Sequence, residues 1–149
     1  MNKNIRWITQ TAVMLALLIC LQWVGSFVPD QLTKQLITGT CVNGVLAITA
    51  LMVGLSSGIT VALISPVCAF LFGIAPNIIT VIPIMLGNSC YVVLLSLLVK
   101  KFADRPVFNY GALAVAAVAK FAVLYLLVVQ VVCNLASGAL LGQKLGSFV

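Results

Sequence analysis

Residues 107–132 read VFNYGALAVAAVAKFAVLYLLVVQVV, a run in which Lys120 carries the only charge. About 20 apolar residues in a helix cross the roughly 30 Å hydrocarbon core of a bilayer, so this stretch is long enough to span one. It is continuously apolar, whereas the strands of a membrane barrel alternate apolar and polar side chains. A helix satisfies its own backbone polar groups in lipid, and the segment therefore reads as a transmembrane helix.

The same pattern recurs along the chain. Apolar blocks cover residues 6–27, 40–53, 59–74, 78–99 and 107–132, separated by short polar or glycine- and proline-bearing stretches. The expected fold class is an all-α integral membrane protein, a single transmembrane helical domain over 1–149 with five clear transmembrane helices. A sixth is expected to be short or truncated: either residues 135–149 form a poor last span, or the chain is a fragment. The second and third blocks are short for a bilayer, which predicts that they are tilted, broken or shielded by neighbours. Gly54-Leu55-Ser56-Ser57-Gly58 interrupts them, Pro66 is expected to kink or end the third, and Ala75-Pro76-Asn77 is expected to form a tight turn. Pro29 to Gln35 reads as a polar connection.

Composition agrees. Of 149 residues, 63% are hydrophobic, the mean hydropathy is +1.25, and the charges are eight Lys and Arg against two Asp and Glu. A soluble domain of this size carries about a quarter charged residues. The first apolar block, Ile5 to Val28, lacks a small-residue cleavage site, so it reads as a retained span and not as a signal peptide. The basic residues flank the apolar blocks instead of clustering on one face, which excludes nucleic-acid binding. Lys3 and Arg6 precede the first block, and Lys100, Lys101 and Arg105 follow the fourth. An even number of crossings puts both groups on one side, which the positive-inside rule assigns to the cytoplasm. A multi-pass protein of the plasma membrane with a cytoplasmic amino terminus is expected. Cys20, Cys41, Cys68, Cys90 and Cys133 form no Cys-x-x-Cys pair and the chain has no His, so neither a metal nor a cofactor is expected.

Polar residues inside the apolar blocks need a reason. Lys120 lies about 20 Å of helix from Pro106, deep in the bilayer, where an unpaired ammonium costs several kcal/mol. No Asp or Glu lies in any block, so its counter-charge is water, backbone carbonyls or a bound ligand such as a carboxylate. The alternative is a lysine snorkelling toward the outer headgroups. Asn88 and Tyr91 share a helix face beside Gly87, which would let a helix or ligand approach closely. With Asn43, Gln22 and Asn134 they fall on one side of the bilayer and form, with Lys120, the candidate substrate-binding set. For each of them singly, helix-to-helix hydrogen bonding explains as much. Ala12 and Ala16 form a small-residue ridge on the first helix that permits close contact with a partner helix.

Ala12-x-x-x-Ala16, Gly54-Leu55-Ser56-Ser57-Gly58, Ile64-Ser65-Pro66-Val67-Cys68-Ala69, Gly73-Ile74-Ala75-Pro76-Asn77 and Pro83-Ile84-Met85-Leu86-Gly87-Asn88 occur in that order. In this the chain resembles a substrate-binding S component of the energy-coupling-factor (ECF) family of ABC vitamin importers. The resemblance implies a six-span bundle that binds a vitamin or related micronutrient near the outer surface. It also implies partners: one transmembrane coupling subunit, met by Ala12 and Ala16, and two ATP-hydrolysing ABC subunits. The S component itself would hydrolyse nothing and need no cofactor, and a loop over roughly Pro29 to Thr40 would cover the substrate. An unpaired Lys120 favours an anionic cargo such as pantothenate. Competing classes are an ATP-independent transporter or channel, a structural membrane subunit, and an intramembrane enzyme. Proton or cation coupling draws on intramembrane carboxylates, absent here. A serine activated by Lys120 would have to come from Ser65, Ser89 or Ser96 on other segments.

Overall fold

The computed structural model describes residues 2–73, 78–101 and 106–146. They form five helices, α1 (Lys3–Ser26), α2 (Gln31–Ile48), α3 (Leu55–Leu71), α4 (Ile78–Lys101) and α5 (Pro106–Gly146), with a π-helical turn at Thr49–Val53 prolonging α2. No strand occurs among the described residues. Lys3–Ser26, Leu32–Val53, Thr80–Lys101 and Val107–Leu135 are each long and apolar enough to cross a membrane. The fold class is an all-α membrane bundle. The turn expected at Ala75-Pro76-Asn77, and Arg105, lie outside the described residues.

Close contacts fix how the helices run. Gly25 on α1 abuts Thr38 on α2, Thr11 on α1 meets Ser57 on α3, and Gly58 on α3 nests between Ala50 and Val92 of α4. Successive helices are therefore antiparallel. Lys3, Arg6, Lys100 and Lys101 share one end of the bundle, here the basic end; Ser26, Asp30 and Leu71 mark the opposite end.

Several boundaries differ from the sequence expectation, each for a local reason. The Asp30 carboxylate accepts the Thr33 N–H (3.0 Å) and the Thr33 hydroxyl, capping the first turn of α2. These two bonds hold the Asp30 carboxyl below its ordinary pKa. Helix consequently begins at Gln31, and the loop expected over Pro29 to Thr40 as a substrate cover is almost entirely the first turns of α2. The short second block becomes a full-length span over Leu32–Val53. Its far end widens where Thr49 turns its hydroxyl onto the Val45 carbonyl (2.7 Å) and its carbonyl receives the Gly54 N–H (3.1 Å), five residues on. Gly54 then takes φ 129°, a conformation open to glycine, and α3 starts at once. Pro66 does not end α3, which continues to Leu71. At the carboxy terminus no sixth span separates off: α5 runs on to Gly146, 41 residues or about 60 Å. No proline interrupts residues 133–146, and the Ser137 hydroxyl bonds back to the Cys133 carbonyl (2.7 Å).

The bundle core is formed by Leu18, Leu46, Val61, Val92, Leu95 and Ala116, each fully buried. Large apolar side chains such as Val13, Leu36, Met52, Ile82 and Phe121 point outward. An apolar exterior of that extent suits lipid and not water. Near the basic end the Thr11 hydroxyl lies 2.8 Å from both the Trp7 carbonyl oxygen and the Ser57 hydroxyl, tying α1 to α3.

Helix packing at Gly58 leaves no room for a side chain. A Cβ there would stand 2.7 Å from Val92 Cγ1 and 3.2 Å from the Ala50 Cα. Gly58→Val is expected to cost about 1–3 kcal/mol through overpacking. Gly44→Ala, inside α2 with open space around it, is expected to be neutral or stabilising by up to about 1 kcal/mol. Thermal melting of the two variants in detergent checks this, and equal melting temperatures would contradict the packing described.

Candidate functional site around Lys120

Helix α5 packs antiparallel along α4, and two contacts fix the register. A Cβ on Gly87 would lie 2.9 Å from Leu124 Cγ, and the Lys120 Nζ stands 5.6 Å from the centre of the Tyr91 ring. Lys120 is one turn from Leu124, and Tyr91 one turn from Gly87, so the pairs are successive layers of one seam. The Lys120 side chain is only 8% exposed. Its amine donates to Asn43 Oδ1, reaching from α5 across α4 to α2.

The three residues meet at mid-depth. Tyr91 is about 15 Å of helix from Lys101 at the basic end, and Asn43 lies near the middle of the Leu32–Val53 span. Lys120 is thus turned inward and does not snorkel to the headgroups. Its protein partners are a side-chain amide oxygen and an aromatic face. Both are neutral. A hydrogen bond to a charged group contributes about 1.5–3 kcal/mol, and a cation over an aromatic ring about 0.5–2. Transferring an ammonium into a low-dielectric interior costs several kcal/mol. The spans Lys3–Ser26, Leu32–Val53, Thr80–Lys101 and Val107–Leu135 contain no Asp or Glu, so this deficit has no anionic answer within them.

Asn88 stands one turn from Tyr91 toward the opposite end. It is 1% exposed, and among the described residues neither its amide nitrogen nor its amide oxygen has a hydrogen-bond partner. Viewed down α4, Asn88 lies about 60° from Tyr91 on one side and about 40° from Val92 on the other. Tyr91 faces Lys120 of α5 and Val92 faces Gly58 of α3. The Asn88 amide is therefore directed into the bundle between those helices. Buried polar atoms are nearly always paired, which sets this carboxamide apart from the rest of the core. Gln22 Oε1, Thr38 Oγ1 and Ser65 Oγ are also buried and unpaired, and all three lie in the half of the bundle toward the opposite end. Ser96 Oγ and Asn109 Oδ1, likewise unpaired, lie toward the basic end.

Of the expected set, the structure brings Lys120, Asn43 and Tyr91 into contact, with Asn88 in the adjoining layer. It does not gather the other two. Gln22 is buried on α1, about 6 Å of helix from Ser26, whereas α5 packs mainly along α4. Asn134 is exposed on α5, about 21 Å beyond Lys120. Ala12 and Ala16 are exposed on the outer face of α1. Farther along α1, an apolar groove of about 260 Å³ is lined by Ile19, Cys20, Trp23 and Phe72. Sequence reasoning overlooked Leu124. The close approach it expected at Gly87 is the one Leu124 makes, and the spacing of four from Lys120 is the signal that could have found it. No potential metal-binding cluster occurs among the described residues.

Comparisons with protein-family models, with curated proteins and with solved structures find no match.

The Asn43–Lys120 bond can be isolated by a double-mutant cycle. Asn43→Ala strands a buried amine and is expected to cost about 1–3 kcal/mol. Lys120→Met keeps the side-chain length without charge and is expected to be neutral or stabilising. In the Lys120→Met background, Asn43→Ala is expected to cost much less than it does alone. Unfolding in mixed detergent micelles measures all four proteins; strictly additive changes would show that the two side chains do not interact.

Proposed function

We propose that this chain is the substrate-capturing membrane subunit of an ECF-type importer. In this role it binds a vitamin or related micronutrient bearing a compact anionic group, such as the carboxylate of pantothenate. The observation that carries the proposal is the buried Lys120 amine, held at mid-bundle by neutral partners only, one layer from an Asn88 amide with neither end satisfied. A carboxylate entering this layer would give the ammonium its missing counter-charge. Its second oxygen could accept from the Asn88 amide, and the low dielectric would strengthen both interactions.

The basic end is assigned to the cytoplasm of the plasma membrane on the strength of Lys3, Arg6, Lys100 and Lys101. Substrate then arrives from the opposite end, the half that holds Gln22, Thr38, Ser65 and Asn88 with unpaired buried atoms. The proposed chemistry is capture and handover without bond breaking. Energy comes from two ABC ATPase partners through a transmembrane coupling subunit. The exposed Ala12 and Ala16 leave α1 a low ridge on which a partner helix can approach closely.

Mass spectrometry of small molecules retained by the detergent-purified protein tests the proposal. A carboxylated micronutrient is expected in the native protein and is expected to be lost from Lys120→Met, with affinity falling roughly a hundredfold or more, about 2.7 kcal/mol. Undiminished binding by folded Lys120→Met would reject the site. Replacing Ala12 and Ala16 with Leu is expected to preserve binding while abolishing uptake and copurification with the coupling module. Retention of that copurification would reject the docking ridge.

A further inference from the structure

The Gly87–Leu124 contact sits directly on the Lys120 layer, on the side toward the opposite end. Three Leu124 side-chain atoms, Cγ, Cδ2 and Cδ1, would lie 2.9, 3.2 and 3.5 Å from a Cβ at Gly87. The absence of that Cβ lets the leucine seat against the α4 backbone. Leu124 is half-buried, whereas Phe121, Ala122, Tyr125 and Leu126 around it are exposed. Gly87 is the immediate neighbour of Asn88, whose amide is unsatisfied at both ends. The same leucine thus stands one turn above the amine on α5 and against the glycine that precedes Asn88 on α4.

Beyond residue 124 little holds α5. Leu127 and Val131 are half-buried, Val128, Val129, Gln130 and Cys133 to Leu135 are exposed, and α4 is the helix against which α5 mainly packs. Among the described side chains beyond Leu124 few are buried, so few buried apolar contacts there would be lost if that part of the helix moved. We propose that Leu124, seated on Gly87, is the steric selector of the Lys120 site: it closes the site toward the opposite end, and its size decides which anion-bearing small molecules pass. This rests on Lys120 being the binding amine of the proposed function, but the closure itself does not depend on any natural ligand.

The test therefore reads access to Lys120 chemically. The full chain in lipid nanodiscs is treated with a water-soluble acetyl ester that acylates free amines, and the rate at Lys120 is followed by peptide mass spectrometry. Surface lysines Lys100 and Lys101 provide the internal reference. Leu124→Ala is expected to raise the Lys120 rate roughly tenfold over the native protein, equivalent to about 1.4 kcal/mol off the opening barrier. Leu124→Phe is expected to react no faster than the native protein, and Phe121→Ala, on the exposed face of the same helix, is expected to leave the rate unchanged. An unaltered rate in Leu124→Ala overturns the proposal. So does an equal acceleration in Phe121→Ala, since general loosening of α5 would then account for it. If Leu124→Ala opens the site while Lys120→Met still binds the micronutrient, the closure stands and the binding role of Lys120 falls.

Discussion

An amine buried among hydrocarbon side chains must be held by something, and Lys120 is held by an amide oxygen and the face of a phenol ring. That arrangement constrains three helices at once. Helix α5 must keep the register that lays Lys120 over Tyr91, and α2 must present Asn43 at the same depth. A slip of one residue along α5 would rotate the lysine by about 100° and carry it off the Tyr91 layer, toward flanks whose residues are exposed. The polar contact thus does for this bundle what a single buried polar residue does in a coiled coil, fixing register at a cost in stability.

Glycine supplies the complementary device. Lipid offers helices no hydrophobic drive to associate, so close backbone approach and dispersion contacts carry the packing. Gly25 against Thr38, Gly58 against Ala50 and Val92, and Gly87 under Leu124 are the places where this chain uses it. They stand at different depths, and together they pin α1 to α2, α3 to α4 and α4 to α5. The second is walled by Ala50 and Val92 of the packed core. The third is filled by a flexible side chain on a helix that packs mainly against α4.

How legible this was in the sequence depended on the range of the interaction. The all-α class follows from runs of apolar residues, a local property, and agrees with the structure, in which four helices are long and apolar enough to cross a membrane and α3 is shorter. Boundaries set by one side-chain bond were not visible: the Asp30–Thr33 cap converts an expected loop into helix, and the Thr49 and Gly54 pair turns an expected gap into a π-turn followed at once by α3. Within the candidate site, Lys120 was conspicuous because charge is rare in a span, and Asn88 and Tyr91 followed from their spacing. Asn43 was marked as polar, but nothing local says that it meets a lysine 77 residues away. Asn134 and Gln22 were grouped with the others by their side of the bilayer. Side alone does not fix depth, and the length of α5 carries Asn134 well clear.

The neutrality of the partners around Lys120 has a consequence for any anion that visits. A carboxylate built into α2 in place of Asn43 would satisfy the ammonium permanently, and a ligand would then have to break a buried ion pair before forming its own. An amide oxygen orients the amine without cancelling its charge. The electrostatic gain is thereby left for a transient partner, and the amide can fall back on the lysine when that partner departs. Under the proposed function, binding in such a site would stay reversible, because the empty state keeps its hydrogen bond to the amide instead of collapsing into an ion pair.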